Sequence, residues 1–245
     1  MARFAVILPA AGQSTRFGSK EKKVFASLEG RPVWMRSAEA FVHRDEVVQT
    51  LLVIAPEDEE YIRSKFAAHL GLLGIEIVLG GQQRFESVGN ALARVRDADL
   101  VAIHDAARPC VSSSAIDRVF ALAQKTGAAI LASPVSDTLK RTDPAGKVLE
   151  TVSREQLWQA QTPQVFRTEW LREAHAQRER LAQTITDDAQ LIEALGHAVY
   201  VVPSDNSNLK ITTPGDLALA AAILKSRPAP KTGRPSHPFE DEGRW

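Results

Sequence analysis

Apolar residues along this chain fall into short runs separated by small, polar or charged clusters. The spacing predicts a regular alternation of buried strands and amphipathic helices. Ala5-Val6-Ile7-Leu8 reads as a first buried strand, and Trp34, Ala38 and Phe41 have helical spacing. Val47 to Ile54 is a second strand stopped by Ala55-Pro56; Glu57 to Glu60 then suits the start of a helix reaching about Leu70, because carboxylates favour the positive end of the helix dipole. Ile75 to Leu79, Leu100 to Ile103 and Ala128 to Ala132 read as further strands. Between them lie helices running to about Arg96 and from Ser113 to Lys125, the latter with Ser112 to Ser114 as candidate N-caps and Gly127 as C-cap. The order β-α-β-α-β-α-β predicts a mostly parallel sheet with helices on both faces, and ligands beyond the strands' C-terminal ends.

From Val135 the pattern changes. Thr138 to Thr142 and Lys147 to Val152 flank Asp143-Pro144-Ala145-Gly146, the signature of a β-hairpin over residues 135–155. A two-stranded ribbon is marginal alone in water, so this arm should pack on something, and a second subunit is the natural candidate. Arg154 at its foot could then face the neighbour's site. After it come a loop entering a short strand around Thr162-Pro163, a helix from Thr168 to Arg180, and a helix capped by Thr186. A strand over Ala198 to Val202, a short strand bearing Lys210 and a helix from Pro214 to Lys225 complete the series. On an alternating strand Lys210 faces opposite to Leu209 and Ile211, toward either solvent or a site. Residues 1–225 are therefore read as one α/β domain; residues 226–245, rich in proline and charge, as a flexible tail or linker remnant.

Three strand ends carry candidate chemistry. Pro9-Ala10-Ala11-Gly12 has no bulky side chain and leads to Arg16, Lys20, Lys22 and Lys23, so backbone N–H groups can approach an anion. Neither the P-loop nor the G-x-G-x-x-G pattern is present, which argues against standard ATPase and nicotinamide sites. Gly80-Gly81-Gln82-Gln83-Arg84 with Ser87 repeats the logic at a second strand end. At the third, His104-Asp105-Ala106-Ala107-Arg108-Pro109 puts a carboxylate and a guanidinium three residues apart, where they could simply pair or could serve a ligand. The Asp187-Asp188 pair is better read as a helix start than as a metal site, since adjacent helix residues point different ways.

Composition narrows the options. Lys+Arg and Asp+Glu are both 30, so no global field attracts nucleic acid. The single cysteine, Cys110, rules out an intramolecular disulfide and cysteine-based metal sites. No apolar run approaches a membrane span and no secretory leader is evident, so a soluble cytoplasmic protein is expected.

These residues together resemble the 2-C-methyl-D-erythritol 4-phosphate cytidylyltransferases of the non-mevalonate isoprenoid pathway. The resemblance is carried by Pro9-Ala10-Ala11-Gly12 with Arg16 and Lys23, Gly80-Gly81-Gln82-Gln83-Arg84 with Ser87, Ile103 to Pro109, Asp137-Thr138, Thr162-Pro163-Gln164, Thr186 to Ala189, and Asn208-Leu209-Lys210. It implies a Rossmann-like nucleotidyltransferase domain that joins CTP to methylerythritol phosphate with Mg²⁺, as a homodimer whose β-arms reach each other's sites. It further implies Arg16, Lys23, Lys210 and a partner subunit's Arg154 as the catalytic cations. Ala10, Ala11, Gly12, Gly81, Gln82, Arg84, Ser87 and Ala106 would contact CTP. Asp105, Arg108, Thr138, Thr162 and Thr186 would hold the polyol phosphate, and Asp105, with Asp205 second, would be the protein contact of a metal held mainly by triphosphate oxygens. The chain departs from the family at Ser14, where a second Gly is usual, and at Lys22-Lys23-Val24. Lys23 is preferred over Lys20 and Lys22 on its spacing to Phe25. A ribitol 5-phosphate cytidylyltransferase and a non-catalytic nucleotide-binding module are the rival readings.

Overall fold

The structure is a computed structural model, and it describes residues 1–13, 17, 22–178 and 185–227. Its strands in chain order are β1 (Phe4–Pro9), β2 (Ser27–Leu28), β3 (Arg31–Pro32), β4 (Val47–Ile54), β5 (Ile75–Leu79), β6 (Leu100–Ile103), β7 (Ala128–Pro134), β8 (Leu139–Thr142), β9 (Val148–Val152), β10 (Trp158–Arg167) and β11 (Tyr200–Pro203). The helices are α1 (Val33–Glu39), α2 (Glu59–Leu72), α3 (Arg84–Leu92), α4 (Ser113–Thr126), α5 (Thr168–Gln177), α6 (Asp188–Ala194) and α7 (Pro214–Ser226). Among the described residues one seven-stranded sheet runs β11-β7-β10-β6-β1-β4-β5.

β1 shows why the sheet must be covered twice. Phe4, Val6 and Leu8 point into one core with Trp34, Phe41, Ile62, Phe66 and Phe120, while Ala5 and Ile7 join Val88, Leu92, Leu171 and Ile192 on the other face. Alternation sends successive side chains to opposite faces, so an all-apolar strand needs helices on both. Phe4 and Phe120 stack with centroids 4.0 Å apart, fixing α4 against β1. Burying such a side chain contributes about 1.5–3 kcal/mol relative to exposure. α4 itself starts where expected, with Ser112 Oγ accepting the Ala115 N–H at 3.2 Å, and it stops at Gly127 with φ +90°. A Cβ on Gly127 would also lie 2.3 Å from Trp170, so glycine is required there twice over.

Four expectations need correction. β10, expected as a short strand, is ten residues long and runs antiparallel between β6 and β7, the reversal in an otherwise parallel sheet. Lys210 lies in a loop rather than a strand; Ile211 N–H binds the Ala107 carbonyl at 2.8 Å instead of a sheet ladder. Asp187, not Thr186, caps α6, its Oδ1 accepting the Gln190 N–H at 3.1 Å. α3 ends at Leu92, short of Arg96.

The hairpin is present as β8 paired antiparallel with β9, Leu139 opposite Val152. Its turn is closed by Asp143, whose Oδ1 accepts the N–H groups of Ala145 and Lys147, both at 2.9 Å, with Gly146 at φ +86°. Residues 228–245, most of the expected tail, and Ser14, Arg16 and Lys20 in the first loop lie outside the described residues. No helix among the described residues is long and apolar enough to cross a membrane.

Candidate active site

The loops at the C-terminal ends of β1, β5 and β6 meet at one cleft of about 200 Å³. The first loop lines it from Pro9 to Gln13, with Lys23 and Val24; the second from Gly81 to Arg84, with Ser87; the rest comes from Asp105, Ala107 and Lys210. The two glycine-containing loops are packed on each other. A Cβ on Gly80 would sit 2.7 Å from Ser87 Oγ and 2.9 Å from Ala11 Cβ, closer than real atoms approach. Gly80 N–H also binds the Ile54 carbonyl at 2.8 Å, and Ser87 Oγ accepts the Gly81 N–H at 3.2 Å. Beneath them α3 opens with a capping box in which Glu86 Oε2 takes the N–H groups of Gln82 at 2.7 Å and Gln83 at 3.2 Å.

Charge is concentrated around Asp105, which is 8% exposed. Its Oδ2 lies 2.7 Å from Lys210 Nζ and 3.7 Å from Arg108 Nε; its Oδ1 lies 3.8 Å from Arg84 Nη2. Burial opposes the charge on Asp105, but the ammonium of Lys210 and the guanidiniums of Arg84 and Arg108 outweigh it and hold the carboxyl well below its ordinary value. Arg84 is itself held by Asp188, whose carboxylate, 1% exposed, is 2.6 Å from Nη1. Burial disfavours the Arg84 cation, yet Asp188 and Asp105 together raise its pKa. Thus α6 orients a cation on α3 that lines the cleft.

Behind Asp105 sits a polar layer with little access to water. Asp105 N–H donates to Thr162 Oγ1 at 3.0 Å, and that oxygen is 3.2 Å from His104 Nδ1. Arg108 Nη1 donates to the Asn208 carbonyl at 2.7 Å, and Asn208 Nδ2 donates to Gln161 Oε1 and the Thr162 carbonyl, both at 2.9 Å. Burial pushes His104 down to about 4, so its imidazole is neutral at neutral pH. These contacts make the loop after β6, the start of β10 and the Lys210 loop one unit.

Of the predicted residues, Ala10, Ala11, Gly12, Lys23, Gly81, Gln82, Arg84, Ser87, Asp105 and Lys210 converge on the cleft. Lys22 does not. It pairs with Glu57 at 2.9 Å and Asp58 at 2.6 Å at the start of the α2 region, leaving Lys23 as the lysine of that pair that reaches the cleft. Ala106 is fully buried, its carbonyl taken by Ser37 Oγ at 2.8 Å, and Ala107 forms the wall instead. Thr186 lines an adjoining cavity with Phe85, Asp187 and Asp188, separated from the cleft by Arg84, which borders both. Thr138 and Arg154 stand out at the hairpin, Arg154 donating to the Ser136 carbonyl. Asp205 does not line the cleft; its Oδ1 accepts the Ser207 N–H at 2.7 Å and closes a turn. Sequence reasoning missed the Asp188 contact to Arg84 and the His104–Thr162 bridge. A polar pair near a helix start was visible for Asp188, but its partner lies on another helix.

Small-residue loops on a mostly parallel sheet, converging on an acid flanked by three cations, define a nucleotidyltransferase. A family model described as 2-C-methyl-D-erythritol 4-phosphate cytidylyltransferase matches residues 4–226. A curated protein of that name from Rhodopirellula baltica is 47% identical over 236 residues, covering 91% of this chain and 95% of that protein. Among solved structures, a 4-diphosphocytidyl-2C-methyl-D-erythritol synthase from Anaerococcus prevotii superposes with TM-score 0.78 at 28% identity, over 91% of this chain and 99% of that one. A 2-C-methyl-D-erythritol 4-phosphate cytidylyltransferase from Thermus thermophilus gives TM-score 0.75 at 35% identity, over 92% and 100%. The chain belongs to the 2-C-methyl-D-erythritol 4-phosphate cytidylyltransferase family.

Proposed function

We propose that this chain transfers the cytidylyl group of CTP to 2-C-methyl-D-erythritol 4-phosphate, releasing pyrophosphate. A phosphate oxygen of the polyol substrate attacks the α-phosphorus of CTP, the α–β bridging P–O bond breaks, and its electrons leave with pyrophosphate. Two anions must meet, so the work is positioning and charge neutralisation. The observation that carries this reading is the convergence of Lys23, Arg84 and Lys210 with the small-residue loop Ala10–Gly12 in one cleft.

In this reading the triphosphate lies along Ala10–Gly12, where Arg16 and Lys23 meet its developing charge. The nucleoside lies against Gly81, Gln82, Arg84 and Ser87, with Ala107 replacing Ala106 at the wall. The polyol phosphate occupies the Asp105, Arg108 and Lys210 side, toward Thr162 and Thr186. Mg²⁺ suits such a site when most of its ligands are phosphate oxygens and one carboxylate contributes. Asp105 Oδ1, 3.8 Å from Arg84 Nη2, is the oxygen that would take that role. Among the described residues no group of three or more His, Cys, Asp or Glu forms a metal cage, consistent with an ion brought by the nucleotide.

The hairpin is read as a dimer arm within a domain spanning 1–225. Val148, Leu149 and Trp158 at its strand and foot are 53%, 58% and 41% exposed, more apolar surface than a solvated ribbon needs. A second subunit would cover them and receive Thr138 and Arg154. A cytoplasmic location fits this metabolic role.

Pyrophosphate release, measured with each of CTP, UTP and ATP against methylerythritol phosphate and ribitol 5-phosphate, tests the assignment. Turnover selective for CTP and methylerythritol phosphate is expected. A preference for ribitol phosphate, or CTP binding without turnover, would overturn it.

A further inference from the structure

We infer that His104 is a positioning residue for this transfer: its ring ties the Arg108 carbonyl to the Thr162 hydroxyl and so sets where Asp105 stands in the cleft and where Arg108 stands behind it. The inference rests on the proposed reaction for its kinetic consequence, but its structural basis is independent of the substrate's identity.

His104 directly follows β6 and is fully buried, with its backbone N–H bound to the Ile7 carbonyl at 2.9 Å. The ring packs against Phe41 with centroids 5.0 Å apart at a 54° tilt, and its two nitrogens bond outward in the ring plane. Nε2 is 3.1 Å from the Arg108 carbonyl oxygen. A carbonyl only accepts, so Nε2 carries a proton. Nδ1 is 3.2 Å from Thr162 Oγ1, the same oxygen that accepts the Asp105 N–H at 3.0 Å. The turn from Asp105 to Arg108, closed by its own bond of 2.9 Å, is therefore anchored at both ends: by the ring at Arg108 and by the hydroxyl at Asp105. Asp105 presents its carboxylate to the cleft, and Arg108 stands behind it with Nε 3.7 Å from Oδ2.

The requirement is specific to imidazole. Asparagine can reproduce the Nδ1 side and glutamine the Nε2 side, but neither spans both, and an apolar ring would leave the Arg108 carbonyl and the Thr162 hydroxyl proton without a partner in a dry layer.

The test is steady-state kinetics of the full chain with CTP and methylerythritol phosphate. His104→Asn and His104→Gln should each lower kcat/KM for the polyol phosphate by roughly 10- to 100-fold, the scale of a small misplacement of reacting groups. The KM for CTP should stay unchanged, because its loops hang on β1, β5 and α3. The double variant His104→Gln, Thr162→Val should be no worse than Thr162→Val, since the two share one bond. Unaltered kcat/KM, equal loss toward both substrates, or fully additive losses would each overturn the inference. Should the variants fail to fold, ¹⁵N NMR of the wild-type imidazole reads the bridge directly. A proton on Nε2 is expected, and one on Nδ1 alone refutes it. Wild-type protein inactive on methylerythritol phosphate would sink the functional reading instead, leaving the NMR result to decide this one.

Discussion

Lys210 Nζ lies 2.7 Å from Asp105 Oδ2, so the cleft's acid is already paired before any substrate arrives. The same lysine is the strongest of the charges that lower the Asp105 carboxyl. An incoming phosphate competes for this ammonium, and its arrival exchanges one charge-assisted contact for another rather than exposing a bare cation. Lys210→Ala should lower kcat by roughly 10² to 10³, the scale for losing one preorganised charge. It should also let the Asp105 carboxyl rise toward its ordinary range, visible by ¹³C NMR titration. Near-normal turnover would remove Lys210 from the mechanism.

Neighbouring lysines should behave differently. Lys23→Ala is expected to cost roughly 10² or more in kcat/KM for CTP. Lys22→Ala breaks a part-buried pair with Asp58 and an exposed one with Glu57, and should lower the urea unfolding midpoint slightly while leaving kcat within tenfold. The reverse ranking would exchange their roles.

Acidification should weaken the fold through His104. Burial lowers its pKa from 6.5 to about 4, so between these values the unfolded chain binds a proton that the folded chain refuses. Stability then rises with pH across that window and is lost on descending it, by roughly 3 kcal/mol in total. His175, lowered by burial as well, acts in the same direction. Asp105 acts lower still: its depressed carboxyl stabilises fully above the ordinary carboxylate range, and that contribution fades as pH falls toward the folded value. Chemical denaturation of wild type and His104→Gln from pH 7 to 4 separates the terms, the variant losing the His104 part of the slope. Identical slopes would show that His104 is not a buried neutral base.

Gly80→Ala tests the contact between the two loops. Its Cβ would have to displace Ser87 Oγ and Ala11, so kcat/KM for CTP should fall by about tenfold or more with little change toward the polyol phosphate. An unaffected KM for CTP would mean the loops do not form one nucleotide surface.

If the hairpin delivers Arg154 to a neighbour, inactive Arg154→Ala and Lys210→Ala proteins should regain activity when mixed and allowed to exchange subunits. A mixture that never exceeds its parents would confine Arg154 to its own subunit.

Much of this was legible from the chain because it depends on local pattern. β5, the caps at Ser112 and Gly127 and the hairpin turn at Asp143 follow from apolar runs and turn chemistry within a few residues. The three strand-end loops could be placed on one edge by the parallel rule, and Arg84 and Asp105 do line one cleft. What escaped depends on long-range pairing. The reversal of β10 leaves no mark in its own apolar content, since a strand flanked on both sides is buried whichever way it runs. Asp188 could not be assigned to Arg84 without knowing that α6 packs beside α3. Likewise, Lys22 and Lys23 differ by one position in a basic run, and only Glu57 and Asp58, brought near by the fold, separate them.

The reversed strand has an evolutionary corollary. β7 ends at Pro134 and β10 begins opposite it at Trp158, so everything between departs from and returns to the same rim of the sheet. Topologically the hairpin is an inserted loop, despite its regular pairing. Its length can change without shifting the register of any core strand, and the rim from which it springs is the one at which the cleft opens. Such a plan lets the arm lengthen or shorten while the core strands beneath it keep their places.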